Sequence, residues 1–385
     1  MMNKGIYLDY NATTPCDPRV VEKMLPYFTE IYGNPSNGLH QQGRRSAKAV
    51  DEARQNIARL IGASAKEIVF TAGATESNNL AILGLARSQA GGERKRIVTS
   101  AVEHKSVLGP CNKLAEAGFD IVILPVDSGG RVVEEAAQQA ITEDTLLVSV
   151  QLANNEIGTI QPVAELSNIA HSVGAVFHCD ATQAIGKIPV DLYQLGVDLG
   201  SMSAHKLYGP KGVGALFVSR GIRSSSIEPV IYGGGQENGI RSGTTNVPAI
   251  VGFGEACALA DNALREEEMR ICALRDFFEE ELSERIPEVT INGKSHDRLP
   301  NTSSLTFTDV DADALILNLS MLMVGTGSAC SSGAIGPSHV LEAMGLSRDQ
   351  AHSTIRVSLG RFTNEQEILM AVEDIDMAFR QLYNK

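Results

Sequence analysis

Ile68-Val69-Phe70-Thr71-Ala72-Gly73-Ala74-Thr75-Glu76-Ser77-Asn78-Asn79 changes texture twice within one short stretch. A continuous apolar run gives way to a turn of small residues, and a helix is predicted to begin near Thr75. Apolar runs of this kind are strands buried on both faces, and a small-residue turn into a helix is a strand-to-helix connection. Backbone N–H groups at a helix start, joined by the Thr75 hydroxyl, make a cup for phosphate around Gly73, Ala74 and Thr75. Taken alone the same stretch reads equally well as a plain tight turn, so its weight comes from its surroundings.

The unit recurs. Arg96-Ile97-Val98, Ile121-Val122-Ile123-Leu124, Leu146-Leu147-Val148-Ser149-Val150, Ala175-Val176-Phe177 and Gly214-Ala215-Leu216-Phe217-Val218 are short apolar runs separated by helical stretches. The alternation predicts an α/β fold with a mainly parallel sheet covered on both faces and a ligand at the carboxyl ends of its strands. Farther on, 251–285 lacks proline and is rich in Ala, Leu and Glu, which predicts a long helix leaving this domain. Beyond it the pattern predicts strands at 303–307 and 354–359, a helix at 312–319, and a final helix with Ile368, Leu369, Val372, Ile375, Phe379 and Leu382 on one face. The division expected is a large α/β domain over 15–260 and a smaller α+β domain built from 1–14 and 261–385. Asp17 followed by Pro18 reads as an N-cap and first helical residue, which leaves Tyr7 to Pro15 as an extended arm.

Composition narrows the function. The chain has 385 residues, 43% hydrophobic and 21% charged, which excludes the disordered and fibrous classes. A net charge of −13 argues against direct binding of nucleic acid or an anionic membrane. The N-terminus has no apolar core of a signal peptide, no run of eighteen apolar residues occurs, and the scattered cysteines fit a reducing compartment, so a cytoplasmic location is expected. The cysteines at 16, 111, 179, 257, 272 and 330 form no CxxC pair, which excludes a zinc ribbon.

Two further segments carry chemistry. In Ser203-Ala204-His205-Lys206-Leu207-Tyr208-Gly209 a lysine stands on a turn at a strand end, where its amine can meet a carbonyl as a Schiff base. By itself it is also an ordinary turn lysine. In Val176-Phe177-His178-Cys179-Asp180-Ala181-Thr182-Gln183 a buried strand ends in an acid, and pyridoxal phosphate needs a carboxylate to keep its ring nitrogen protonated. Asp180 precedes Lys206 by one strand and its connection, so both belong on one sheet edge. Alone, Asp180 could equally be an N-cap. Other phosphate loops fail: Glu288 occupies the first-glycine position of the Walker-like segment ending at Gly293-Lys294-Ser295.

Asp9-Tyr10-Asn11-Ala12-Thr13-Thr14, Gly33-Asn34-Pro35-Ser36, Gly73-Ala74-Thr75-Glu76-Ser77-Asn78, Glu103-His104, Asn154-Asn155-Glu156-Ile157-Gly158, Asp180-Ala181-Thr182-Gln183, Ser203-Ala204-His205-Lys206, Arg241-Ser242-Gly243-Thr244 and Gly327-Ser328-Ala329-Cys330 together resemble the cysteine desulfurases. These belong to the class V aminotransferase group of pyridoxal phosphate enzymes, with the type I fold. The resemblance runs in order from about Ile6 to Arg361. It implies the cofactor pyridoxal 5'-phosphate, with Lys206 as its Schiff-base lysine, Asp180 as the partner of the ring nitrogen and Gln183 as donor to the ring hydroxyl. His104 would stack on the ring and relay protons. Thr75, Ser203 and His205 would bind the phosphate, and Thr244 would reach the phosphate of a neighbouring subunit, which implies a homodimer. Asn155 would sit near the substrate, L-cysteine.

Arg356 has an argument of its own. In Thr354-Ile355-Arg356-Val357-Ser358-Leu359 apolar residues alternate with polar ones, so Ile355, Val357 and Leu359 face a core and Arg356 faces away. There its guanidinium could clamp the substrate carboxylate in two-pronged fashion. Cys330 lies among glycines and serines, in a segment that resists regular structure. Cys179 and Cys257, in apolar runs, read as structural. The length of the segment around Cys330 resembles the branch that includes the nitrogen-fixation and housekeeping iron-sulfur desulfurases. The reading is conversion of L-cysteine to L-alanine, leaving sulfur on Cys330 as a persulfide for sulfur-acceptor proteins such as an iron-sulfur scaffold. A selenocysteine lyase or aminotransferase of the same fold is the alternative, and a noncatalytic sulfur carrier the third. Cys330 argues against transamination, which needs no thiol, and Lys206 with Asp180 argues against the carrier.

Overall fold

In the computed structural model, which describes residues 5–88, 92–222, 226–327 and 336–383, the apolar runs lie side by side in a seven-stranded sheet. Its spatial order is Ile68–Thr71, Gly214–Val218, Leu199–Ser203, Val176–Asp180, Thr145–Ser149, Arg96–Ser100, Asp120–Leu124. Neighbours are parallel except at Gly214–Val218, which runs antiparallel to both strands beside it. The sequence reading located this strand but not its reversal. The reason is the link: residues 204–213 are too few for a helical crossover, which needs a dozen or more, so the chain folds straight back.

Thr145–Ser149 is buried throughout, as is Val176–Asp180 after its first residue, because helices cover both faces of the sheet. The longest helix, Val247–Arg285, starts where the Asn246 side chain accepts from the Ala249 N–H, with a proline in its first turn. By length and apolar composition it could cross a membrane, yet its apolar part is largely buried inside the protein. Val251, Phe253, Ala256 and Cys257 lie in the core beneath the large sheet, where the helix packs along Gln41–Leu60. Some twenty residues later Ile271, Phe278 and Leu282 enter a second core with Leu305, Phe307, Val357, Ile375 and Phe379. Full burial of each such side chain contributes about 1.5–3 kcal/mol, so one helix ties both cores together.

The second core sits on a four-stranded sheet in the order Gly325–Thr326, Thr354–Ser358, Thr302–Phe307, Val289–Ile291, antiparallel throughout. The predicted final helix is Glu365–Tyr383. Ile6–Tyr7 pairs in parallel with Leu322–Met323, and Ile6 and Leu8 are buried in this same core. The arm then crosses to the large sheet. It ends where Asp17 caps the helix Pro18–Met24, accepting from the Arg19 N–H at 3.0 Å, as the Asp17-Pro18 pair predicts.

Candidate active site

At the carboxyl ends of the parallel strands lies a cavity of about 760 Å³. Gly73, Ala74, Thr75, His104, Asn155, Asp180, Gln183, Ser203, His205 and Lys206 all line it, although they come from five separate stretches of chain. Arg356 and Thr244 do not line it. Cys330 lies outside the described residues.

Asp180 is the last residue of its strand and is buried at the edge of the cavity. Its two carboxylate oxygens are aimed from opposite sides: the Thr182 N–H donates to Oδ1 at 3.1 Å, and Asn78 Nδ2 donates to Oδ2 at 2.7 Å. The same Asn78 Nδ2 donates to Ser106 Oγ at 2.8 Å, and Ser106 Oγ lies 2.8 Å from His104 Nδ1. His104 caps the helix Lys105–Glu116, its Nδ1 accepting from the Ser106 N–H at 3.1 Å. With Nδ1 as acceptor, the neutral ring carries its hydrogen on Nε2. A continuous hydrogen-bonded chain therefore runs from Asp180 to His104. Asn78 was quoted in the sequence motif without a role, and Ser106 was not singled out. No local pattern marks either one, since their partners are brought together only by the sheet.

Lys206 ends the one-turn helix Ala204–Lys206 that follows the strand Leu199–Ser203. Its Nζ donates to the carbonyls of Asn11 at 2.5 Å and Ala12 at 2.8 Å, so the N-terminal arm pins the amine at the cavity wall. The turn is held from behind: Tyr208 takes a positive φ of 65°, unusual for a side chain of its size, while its N–H donates to Thr14 Oγ1 at 2.9 Å. His205 Nδ1 lies 3.0 Å from Thr13 Oγ1, and burial, with Lys206 and Lys211 nearby, pushes its pKa down to about 4. The imidazole is therefore neutral at pH 7.

The other end of the cavity suits an anion. The helix Ala74–Arg87 opens here, and its first-turn N–H groups have no carbonyl of their own helix to reach. Gly73 has φ 154°, open to glycine and little else. Gly214 passes so close beneath that a Cβ on it would fall 2.7 Å from Gly73 Cα, so the strand can run under this turn only as a glycine. The Ser203 hydroxyl and Lys211 complete this end, and the one acid there, Glu76, is engaged by Arg241 at 2.8 Å. A carboxylate, an amide, an amine and an anion cup around one cavity match the ring nitrogen, ring hydroxyl, aldehyde and phosphate of pyridoxal phosphate.

Arg356 departs from expectation in its surroundings. Ile355, Val357 and Leu359 face the second core as predicted, but Arg356 is itself buried, with 1% exposure. Its Nη2 donates to Asp9 Oδ1 at 2.7 Å and its Nη1 to the Asn155 carbonyl at 3.0 Å. Asn155 lines the cavity, so Arg356 stands just behind the wall. Thr244 is exposed at a separate hollow of about 230 Å³, beside Arg241 and Glu237.

Three further ionisable groups surround the site. Glu103 is fully buried and its Oε2 has no partner among the described residues; burial pushes its pKa up to about 8. Burial likewise raises Glu156 to about 7, with its Oε2 accepting from Ser338 Oγ at 2.5 Å. Burial holds His178, set between the hydroxyls of Ser149 and Ser201, at about 4.

Residues 6–370 match the family model of the class-V aminotransferases. The chain is 48% identical over 382 residues to the cysteine desulfurase IscS of Anaeromyxobacter dehalogenans (strain 2CP-C), covering 99% of this chain and 94% of that one. Among solved structures it is similar to a NifS-like protein with a TM-score of 0.91 at 38% identity, covering 98% of this chain and all of the other. It is also similar to a structure of SspA in complex with cysteine, with a TM-score of 0.82 and 38% identity over 93% of this chain and 99% of the other.

Proposed function

The chain belongs to the class-V aminotransferase family and is a pyridoxal-phosphate-dependent cysteine desulfurase, and we propose that Lys206, Asp180, His104 and Cys330 carry its reaction. The observation that supports this most is the placement of Lys206 and Asp180 at the ends of adjacent parallel strands, facing one cavity. When bound there, the cofactor supplies an electron sink for the bonds at the substrate α- and β-carbons. Asp180, aimed by Thr182 and Asn78, accepts the ring N–H. Gln183 donates to the ring hydroxyl. Lys206 Nζ would hold the aldehyde carbon and, as a free amine, would move protons at the substrate. His104 bears its proton on Nε2 for the same purpose. Thr75, Ser203, His205 and the first-turn N–H groups hold the phosphate, joined by Thr244 of a neighbouring subunit in a homodimer.

Arg356 and Asn155 orient the L-cysteine carboxylate. The Cys330 thiolate attacks the substrate sulfur; the carbon–sulfur bond breaks as the sulfur–sulfur bond forms, and the β-carbon takes a proton to give L-alanine. The described cysteines are poor rivals: burial raises the pKa of each, Cys111 to about 12 and Cys179 and Cys257 well above the ordinary value, while Cys16 and Cys272 are raised less. None of them lines the cavity. We take 15–260 as the large domain and 1–14 with 261–385 as the small one, and place the enzyme in the cytoplasm, serving sulfur-acceptor proteins such as an iron-sulfur scaffold. Incubation of the purified holoenzyme with L-cysteine and a thiol reductant tests the reading. Equal yields of alanine and sulfide are expected, and alanine-free keto-acid formation would point to an aminotransferase instead.

A further inference from the structure

Gln183 can serve the cofactor in only one of two orientations. A primary amide has a donor end and an acceptor end, and only the donor end helps an electron-rich ring oxygen. In this structure the orientation is set from outside the cavity. Lys187, four residues along, directs its Nζ to Gln183 Oε1 at 2.7 Å, and Gln183 Nε2 donates to the Asn11 carbonyl at 3.0 Å. A flipped amide would set Oε1 against the Asn11 carbonyl, two acceptors face to face. It would also leave Lys187 without its nearest oxygen.

We propose that Lys187 is a positioning residue that locks the Gln183 amide with an Nε2 hydrogen free to face the cofactor ring oxygen. The proposal rests on the reading of Gln183 as donor to that oxygen. Lys187 reaches Asn11 as well, donating to its Oδ1 at 3.1 Å, and Asn301 Nδ2 donates to the same oxygen at 3.0 Å. Asn11 is in turn fixed by its Nδ2, which donates to Thr302 Oγ1 at 2.8 Å and to the Asn155 carbonyl at 3.2 Å. Both acceptors of the lysine are therefore amide oxygens held in place by other bonds. Burial of its amine, then Lys206 and Arg356, lowers the Lys187 pKa well below the ordinary value. A neutral amine still has two N–H donors, which equals the number of amide oxygens it meets. Putting an amine here is costly, since burial works against its charged form. A purely structural site would be served by a leucine or methionine, and the polar end is what the amide lock requires.

The test uses holoenzymes carrying Gln183→Leu, Lys187→Met, Lys187→Gln, and the double change Gln183→Leu with Lys187→Met. Two quantities are read: the position of the longest-wavelength cofactor absorption band and the rate of cofactor release. Lys187→Met is expected to move the band in the same direction as Gln183→Leu and to speed release by roughly 2- to 12-fold, the loss of about one hydrogen bond. The double variant should equal Gln183→Leu alone. Lys187→Gln keeps a donor for Oε1 and should retain the wild-type band, and it answers the question even where the methionine variant fails to fold. A shifted band in Lys187→Gln matching that of Gln183→Leu, or an unmoved band in Lys187→Met, would overturn the role of Lys187 alone. An unmoved band in Gln183→Leu would overturn the reading of Gln183 and the proposal with it.

Discussion

Arg356 Nη2 and Asp9 Oδ1 stand 2.7 Å apart where the N-terminal arm crosses the small sheet, and the guanidinium Nε beside them is buried with no partner among the described residues. The site thus holds a fully buried cation paired to Asp9, with a donor that no described residue uses and that a substrate carboxylate can take up. Arg356→Ala is expected to raise KM for L-cysteine by roughly 10- to 150-fold, the loss of hydrogen bonds to a charged group, with a smaller change in kcat. Steady-state kinetics on the folded variant check this; an unchanged KM would remove Arg356 from substrate binding.

Asp180→Asn keeps the shape but removes the charge that accepts the ring N–H. Turnover is expected to fall by at least two orders of magnitude, a loss of about 3 kcal/mol or more in transition-state stabilisation, while the cofactor stays bound. Absorbance and activity measured on the same sample check it, and near-normal activity would assign the ring nitrogen to another group.

Lys206 is expected to carry the cofactor covalently. Borohydride reduction of the holoenzyme followed by peptide mapping should place the pyridoxyl label on Lys206. A label on Lys211, which also lines the cavity, or on Lys187 would contradict the assignment.

Much of this was legible before any coordinates. The strands, the long helix and the final helix follow from apolar runs and periodicity, and ten of the expected site residues do meet at one cavity. The antiparallel Gly214–Val218 strand was missed because its apolar run looks like any parallel one, and only the short link before it betrays the reversal. Burial of Arg356 was missed for a different reason. Strand alternation says which way a side chain points but not that the arm at Asp9 covers that face. The relay through Asn78 and Ser106 and the lock at Lys187 depend on contacts between distant segments, which no local pattern encodes.

Glu103 makes stability depend on pH. Its folded pKa is raised from 4.5 to about 8, so over that window the native state binds more protons than the unfolded one. Stability from this group therefore falls as pH rises from about 4.5 to 8. Glu156 acts the same way up to about 7, whereas His178 opposes both only between about 4 and 6.5. Between pH 7 and 8 Lys187, held well below its ordinary value by burial, adds a slope of the opposite sign, so the Glu103 part is read as the difference between wild type and Glu103→Gln. The Tm change from pH 7 to pH 8 should be more negative in wild type than in Glu103→Gln; equal changes would show that Glu103 is ionised in the native state.

The sulfur's first stop tests the account most directly. Holoenzyme given one equivalent of L-cysteine, alkylated at once and digested, should show the added sulfur on the Cys330 peptide by mass spectrometry. Cys330→Ser should still change the cofactor spectrum on meeting L-cysteine but should form almost no alanine. Added sulfur on Cys16 or Cys111, together with robust alanine formation by Cys330→Ser, would contradict it.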